Sequence, residues 1–315
     1  MLTKLIRTAV LIVLIGFLRV FPQSASNPDN SVGIPQGDRR STPAEIGSVF
    51  FITSDGARIH YLTAGKMTNE PPIVFIPGFT LSATLWERQL REFSSNRLTI
   101  AIDPRSQGES SIMQYGNTPE RRAMDLHELV TNLDIARFVI VGWSQGAQDV
   151  AAYLGQYGTD SLAGIVFVDS VVSGGPNGIE ARKSFRHILS RLAMIDSHPA
   201  EYSEGLVRSI FSRPHPELDM KYLIDESRKT PPSIEIAMLV MDVFGADRRP
   251  ALKKIDRPTL VISSASSDLT EQKEMANTIP GALWVVVADA GHALFVDNPE
   301  KFDVELTRLL KAVSR

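Results

Sequence analysis

The sequence predicts an α/β fold: a mainly parallel, twisted sheet flanked by helices, with a helical cap inserted after the sixth strand. Two observations carry that prediction. Short continuous apolar runs such as PPIVFIPG, FVIVG and LAGIVFVD alternate with segments of helical periodicity. Strands of that kind are buried on both faces and pair in parallel, with helices as the covering layers. The alternation stops between Val172 and Pro250, where the chain reads as helical without clear buried strands. An insertion there would sit over the strand ends.

Each element has its own signal. Ordered chain begins near Ser48, where VFFITSDGARIHYLTAG sets two β-prone runs around Asp55-Gly56. That turn pair predicts a hairpin. PPIVFIPG is the next strand, ending at Pro77-Gly78, and LTIAID (98–103) and FVIVG (138–142) read the same way. Leu126, Leu129, Val130 and Leu133 stand at i, i+3, i+4, i+7, and Ala147, Val150, Ala151 and Leu154 repeat the spacing after Ser144. Each set predicts one apolar helix face. LAGIVFVD (162–169), TLVIS (259–263) and LWVVVA (283–288) are further buried-strand candidates, and Phe302, Leu306, Leu309 and Leu310 mark the last helix. The organisation expected is a core of residues 47–171 and 251–315 with a cap of residues 172–250.

Ahead of the core the chain changes character. Lys4 and Arg7 precede an apolar run from Ala9 to Leu18, and Ser24-Ala25-Ser26 follows. This is the three-part layout of a secretory signal over residues 1–26, and export to the periplasm or outside the cell is expected. The run is about half the roughly twenty residues of a membrane span, so no stable span is expected; a short anchor is the alternative. Residues 27–46, rich in Pro, Gly and Ser, read as a flexible leader.

Composition narrows the function. The 315 residues carry a formal net charge of −3, with no basic excess to favour nucleic acid. The absence of cysteine excludes disulfides and thiolate chemistry. The six histidines show no compact ligand spacing, so no metal is expected.

The chemistry gathers at VGWSQGAQ. Ser144 lies where a strand ends and a helix begins, between Gly142 and Gly146. G-x-S-x-G in that setting is a nucleophile elbow: a tight turn with small flanks that exposes the serine at the top of the sheet. The helix N-terminus behind it favours developing negative charge. His292, in DAGHALFVDNPEKF, follows the last strand and can reach back as general base. The acid should lie between serine and histidine in the chain. Asp268, in the loop after TLVIS, is the first choice, although it also suits a helix N-cap; Asp169, ending LAGIVFVD, is its rival. The backbone N–H groups of Gln145 and Phe79 are the expected oxyanion donors. In the cap, Ile234, Met238, Met241 and Phe244 share a helical face that either packs or, through Met238 and Met241, lines an apolar substrate pocket. Asp103 and Arg105 read as braces of a turn, Asp125 as a helix-surface or packing acid, and Trp143 as packing behind the elbow.

IPGF (76–79), DPRSQGES (103–110), GWSQG (142–146), PTLVI with Asp268, and GHALFVDNPEKF (291–302) occur in that order. With them the chain, from about Ser48 onward, resembles the α/β-hydrolase-fold serine hydrolases of the esterase, lipase and non-haem haloperoxidase-like group. The resemblance implies the α/β-hydrolase fold and a triad of Ser144, Asp268 and His292. The chain departs from the group's pattern at Pro77, where histidine is usual, at Ser106, where glycine is common, and in SSASSD, which lacks a glycine and places its aspartate about one residue late.

The expected function is hydrolysis of small or medium carboxylic esters through an acyl-enzyme, with no cofactor. Lactone or C–C bond hydrolysis, or a perhydrolase activity, would keep the triad and change the pocket. A non-catalytic ligand-binding module on the same fold is the reading from another class.

Overall fold

The computed structural model describes residues 44–177 and 179–314. The expected signal, and the expected leader up to residue 43, lie outside the described residues. One eight-stranded sheet organises the rest, in the order β1-β2-β4-β3-β5-β6-β7-β8. The hairpin pairs β1 (Gly47–Ile52) with β2 (Arg58–Ala64) around a turn in which Gly56 takes φ 84°. β2 joins the sheet antiparallel to β4 (Thr99–Ile102). From β4 onward, β3 (Ile73–Ile76), β5 (Phe138–Trp143), β6 (Leu162–Val168), β7 (Thr259–Ser264) and β8 (Leu283–Val287) run parallel.

The strands read as continuous apolar runs are buried throughout, with one exception. Every residue of β3, β4, β5, β6 and β7 is buried. β8 is the exception: it closes the sheet with one neighbour, Leu283 is 41% exposed, and Trp284 lies half-open beneath the Lys273 ammonium. An apolar run cannot show whether its strand has one neighbour or two, and here it has one.

Helices cover both faces. α1 (Glu87–Phe93) follows a short 3₁₀ turn, Ala83–Trp86; α2 (Pro119–Asn132) and α3 (Gly146–Tyr157) pack against each other. Thr118 caps α2 by accepting the Arg121 N–H, and Pro119 occupies its first turn, where a missing N–H costs nothing. Between β6 and β7 come α4 (Ile179–Ser197), α5 (Pro199–Ser209), α6 (Met220–Ser227), α7 (Pro232–Val240), a π turn over Met241–Gly245 and the short α8 (Arg249–Leu252). A bridge between Gly174 and Asp247 draws the two ends of this helical cap together. α9 (Leu269–Thr278) precedes β8, and α10 (Leu294–Asp297) and α11 (Pro299–Val313) close the chain. Among the described residues no helix is long and apolar enough to cross a membrane.

An aromatic stack supports the end of the sheet that matters below. Trp86 lies on Phe295 with centroids 3.8 Å apart, and Trp143 meets the edges of both, at 6.5 and 5.0 Å. All three rings are fully buried. Trp86→Ala should therefore cost about 3–5 kcal/mol of stability, measured as a lower urea midpoint.

Candidate active site

The site is built where β5, β6 and β7 end. Ser144 follows β5 directly, and its N–H still donates to the Val168 carbonyl of β6 (3.1 Å). The chain then reverses: Ser144 takes φ 55° and its carbonyl accepts the Ala147 N–H at the start of α3. A left-handed non-glycine residue stores strain, of the kind that collects at functional sites. The turn is tight on all sides. A Cβ on Gly142 would run into the Gly146 carbonyl, one on Gly146 would stand 2.7 Å from the Ile76 carbonyl, and one on Gly78 would stand 3.2 Å from Ser144 Cβ. Only glycine fits at 142 and 146, which explains GWSQG, and the glycine of IPGF relieves a tight contact.

His292 lies beside this elbow. Its carbonyl accepts the indole N–H of Trp143 (2.9 Å), and the two rings sit 5.3 Å apart. Trp143 thus packs behind the elbow and also holds the histidine loop, a role its sequence context did not signal. Ser144 is half-buried and the His292 side chain is 34% exposed.

The carboxylate at His292 is Asp169. Its Oδ2 lies 2.7 Å from His292 Nδ1. Asp268, the first choice from sequence, is elsewhere: it is exposed, and its side chain accepts the Thr270 N–H as the N-cap of α9. Its two readings competed on the same local signal, and the cap is the one realised. Asp169 follows β6 directly in left-handed backbone, φ 43°, as Ser144 follows β5. The β7 loop that could have carried the acid instead supplies donors to it. Ser264 N–H (2.8 Å) and Gln272 Nε2 (3.0 Å) reach Oδ1, and Ser267 Oγ reaches Oδ2 (2.6 Å). Burial by itself would raise the Asp169 pKa. The hydrogen bond and charge of His292, with Ser267 and Gln272, outweigh burial and hold it below the usual carboxylate value.

The two expected oxyanion donors are both uncommitted. Neither the Gln145 nor the Phe79 backbone N–H donates to another group among the described residues. The Phe79 loop is fixed next door: the Thr80 N–H donates to Gln107 Oε1, and Thr80 Oγ1 meets Ser227 Oγ of the cap at 2.8 Å. The Phe79 ring joins Ile188, Ile195, Ile234, Met238 and Leu239 in an apolar cluster beneath the cap. Met238 is thus brought to the oxyanion loop. Met241 is not part of that cluster; it opens the π turn, half-buried.

The remaining predicted residues brace the 103–110 turn, the hairpin and α2. Arg105 makes a bidentate pair with Asp125 (2.6 and 2.6 Å) and also holds Asp55 of the hairpin turn. Asp125, read as a helix-surface or packing acid, is therefore the buried partner of Arg105. Asp103 accepts the Ala83 N–H (2.6 Å), the Glu109 N–H (2.9 Å) and His60 Nδ1 (2.8 Å), and His60 Nε2 meets Ser48 Oγ at 2.9 Å. This serine–histidine–aspartate chain has its serine inside the regular strand β1, not at a strand-to-helix turn. Ser106, where glycine is common, takes φ 64° and is held there by Asn117 and the Met113 N–H. Among the described residues no three histidine or acidic side chains converge as a metal would require.

Comparison with known proteins agrees with this architecture. Residues 73–303 match the model of the alpha/beta hydrolase family, and the chain belongs to that family. It is 28% identical over 276 residues to the non-heme chloroperoxidase CPO-A1 of Kitasatospora aureofaciens, covering 82% of this chain and 98% of that protein. Several other curated relatives, including one from Synechocystis sp., are matched over only about half of their length, 49% in that case, while a 2-(acetamidomethylene)succinate hydrolase of Mesorhizobium japonicum is matched over 94% of its own at 25% identity. Among solved structures, an esterase from Exiguobacterium antarcticum aligns with a TM-score of 0.74 at 21% identity, over 84% of this chain and 100% of that one. The enol-lactonase from Burkholderia xenovorans aligns with a TM-score of 0.72 at 20% identity, again over 84% and 100%. At those identities the structural likeness is one of fold.

The two aspartates should separate cleanly. Asp268→Ala removes a helix cap and should cost about 1 kcal/mol of stability, read from the urea midpoint. It should leave the rate at which a fluorophosphonate labels Ser144 unchanged, whereas Asp169→Asn should slow that labelling.

Proposed function

We propose that the protein is a serine hydrolase acting on small or medium carboxylic esters through an acyl-enzyme, with Ser144, His292 and Asp169 as its triad. The observation that carries this reading is the 2.7 Å contact between His292 Nδ1 and the buried carboxylate of Asp169, set beside a serine in a strained elbow. Asp169 fixes the tautomer with the proton on Nδ1, leaving Nε2 free to take the proton of Ser144 Oγ. The serine oxygen adds to the ester carbonyl. The oxyanion that forms is met by the Gln145 and Phe79 N–H groups and by the N-terminal end of α3. The imidazolium returns its proton to the leaving alkoxide, and the same base then activates water to release the acid. The apolar cluster around Phe79 and Met238 is the surface such a reading offers to the acyl chain.

A second reading shares every step up to the acyl-enzyme. The name of the Kitasatospora relative, matched over 98% of its length, favours peroxide as an alternative deacylating nucleophile. Hydrogen peroxide in place of water would give a peracid.

One set of assays tests both. Ser144→Ala should abolish hydrolysis of p-nitrophenyl esters and labelling by a fluorophosphonate. Asp169→Asn should lower kcat by about 10⁴-fold with the fold intact, because the wrong tautomer then faces the serine. Full ester turnover in either variant would defeat the assignment. Peracid formed from an ester and hydrogen peroxide, and lost in Ser144→Ala, would add the second activity.

A further inference from the structure

The cap and the histidine loop meet at a buried carboxylate. Asp297 ends α10 and is 4% exposed. Its Oδ2 accepts the N–H groups of Gly291 (2.5 Å) and Ser212 (2.8 Å), and its Oδ1 lies 2.6 Å from His215 Nε2. The Ala293 N–H donates to the Ile210 carbonyl (2.8 Å), and Arg213 Nη2 donates to the Asp297 carbonyl (2.8 Å). The residues on both sides of His292 are thus tied to Ile210–His215, the cap segment between α5 and α6. The fit is close: a Cβ on Gly291 would stand 2.7 Å from the Ser212 nitrogen and 2.8 Å from the Ile210 carbonyl.

His215 holds this clamp from the cap side. It is 6% exposed, and its Nδ1 lies 2.6 Å from Glu217 Oε1. Ionised carboxylates only accept hydrogen bonds, so a ring between two of them needs a proton on each nitrogen. Burial by itself would lower the His215 pKa, and the hydrogen bonds and charges of Asp297 and Glu217 raise it above the ordinary histidine value instead. Burial would likewise raise Asp297, but His215 and the Ser212 and Gly291 N–H groups hold it low; Glu217 is lowered chiefly by its bond to His215. Arg213 is the other charge at this junction, and Phe211 packs its ring 5.2 Å from the imidazole.

We propose that His215 is a positioning residue: as an imidazolium between Asp297 and Glu217, it holds the Gly291–Ala293 loop so that His292 stays on Asp169. The proposal rests on the reading of His292 as the base. A neutral imidazole has one N–H, so losing the proton leaves one carboxylate facing a lone pair. The sign follows from the raised value: the clamp is complete below the ordinary histidine pKa and is lost as pH rises through the folded one. Wild-type activity should therefore fall on the alkaline side.

The test compares pH profiles of p-nitrophenyl ester hydrolysis for the wild type, His215→Gln and Glu217→Gln, with hydrogen exchange of the segment 289–298 in each. His215→Gln keeps one donor toward Asp297 but cannot charge. It should lower kcat about tenfold or more at neutral pH through misplacement of the base. KM should change little, and the alkaline fall should vanish. Glu217→Gln, at an exposed position, should move that fall to lower pH without removing it. Exchange in the segment should quicken in His215→Gln and, in the wild type, with the alkaline fall. A His215→Gln enzyme with wild-type kcat and profile overturns the proposal, as does a Glu217→Gln profile that does not move. If the wild type shows no ester turnover, the catalytic reading fails by itself. Exchange then decides the clamp, and indifference to both pH and His215→Gln overturns it.

Discussion

The site depends on the parallel register of three neighbouring strands. Trp143 pairs with Val168, and Val168 with Ile262; β5 and β6 end at that level, while β7 runs two residues further, to Ser264. Strands lie about 4.8 Å apart, which places the next residues of β5 and β6 side by side along one edge. Ser144 and Asp169 are those residues. Each still donates its N–H back into the ladder, to Val168 and Ile262, before turning into left-handed backbone. Strain of roughly 1–3 kcal/mol at each persists because the ladder on one side and a helix or loop on the other over-determine both turns. A one-residue slip would reverse every side chain of the strand and carry both residues away from the rim.

That edge also explains why Asp169 rather than Asp268 meets the histidine. A carboxylate orients and stabilises an imidazolium best where water does not screen it, and Asp169 is buried while Asp268 is exposed. Burial has a desolvation cost, and four donors meet it: the Ser264 N–H, Ser267, Gln272 and His292 itself. Three of the four come from β7, its loop and α9. The loop that could have carried the acid has become its hydrogen-bonding cradle, through the Ser267 hydroxyl and the Ser264 backbone N–H of SSASSD.

Much of this was legible in the sequence, and the limits have identifiable causes. Continuous apolar runs located the five strands β3 to β7 because a residue's burial on both faces leaves a local mark, and the Asp55-Gly56 turn pair located the hairpin. β8 left the same mark, although its neighbour count is set by topology. Ser144 and His292 were legible because an elbow needs glycines at fixed offsets and the histidine loop has a fixed place after the last strand. The acid was not, because an aspartate before a helix satisfies a cap and a triad equally well on paper. Asp169 had only one signal, an acid closing an apolar run, and was held second to Asp268. The indole of Trp143 and the guanidinium of Arg105 act on residues remote in sequence, so no local pattern announces their partners.

One buried network remains, and it joins the elbow to the cap. Arg122 of α2 pairs with Asp149 of α3 (2.8 Å) and with Asp242 of the π turn (2.6 Å), and Asp242 also receives Gln145 Nε2 (2.5 Å). Burial, with Asp242 close by, pushes Asp149 up to about 7 despite Arg122. Such a cluster is a poor source of raw stability, since desolvation offsets most of the attraction and an apolar replacement would serve as well. What it supplies is a single geometry. Asp242 can satisfy Arg122 and Gln145 together only when the π turn sits at one place over the elbow. The residue thus pinned through its side chain, Gln145, is the one whose backbone N–H the proposed mechanism uses as an oxyanion donor. The π turn thus aims Asp242 at Arg122 and Gln145 while its Val243 and Phe244 pack against the apolar cluster that holds Met238 and Phe79; Met241, at its start, lies outside that cluster.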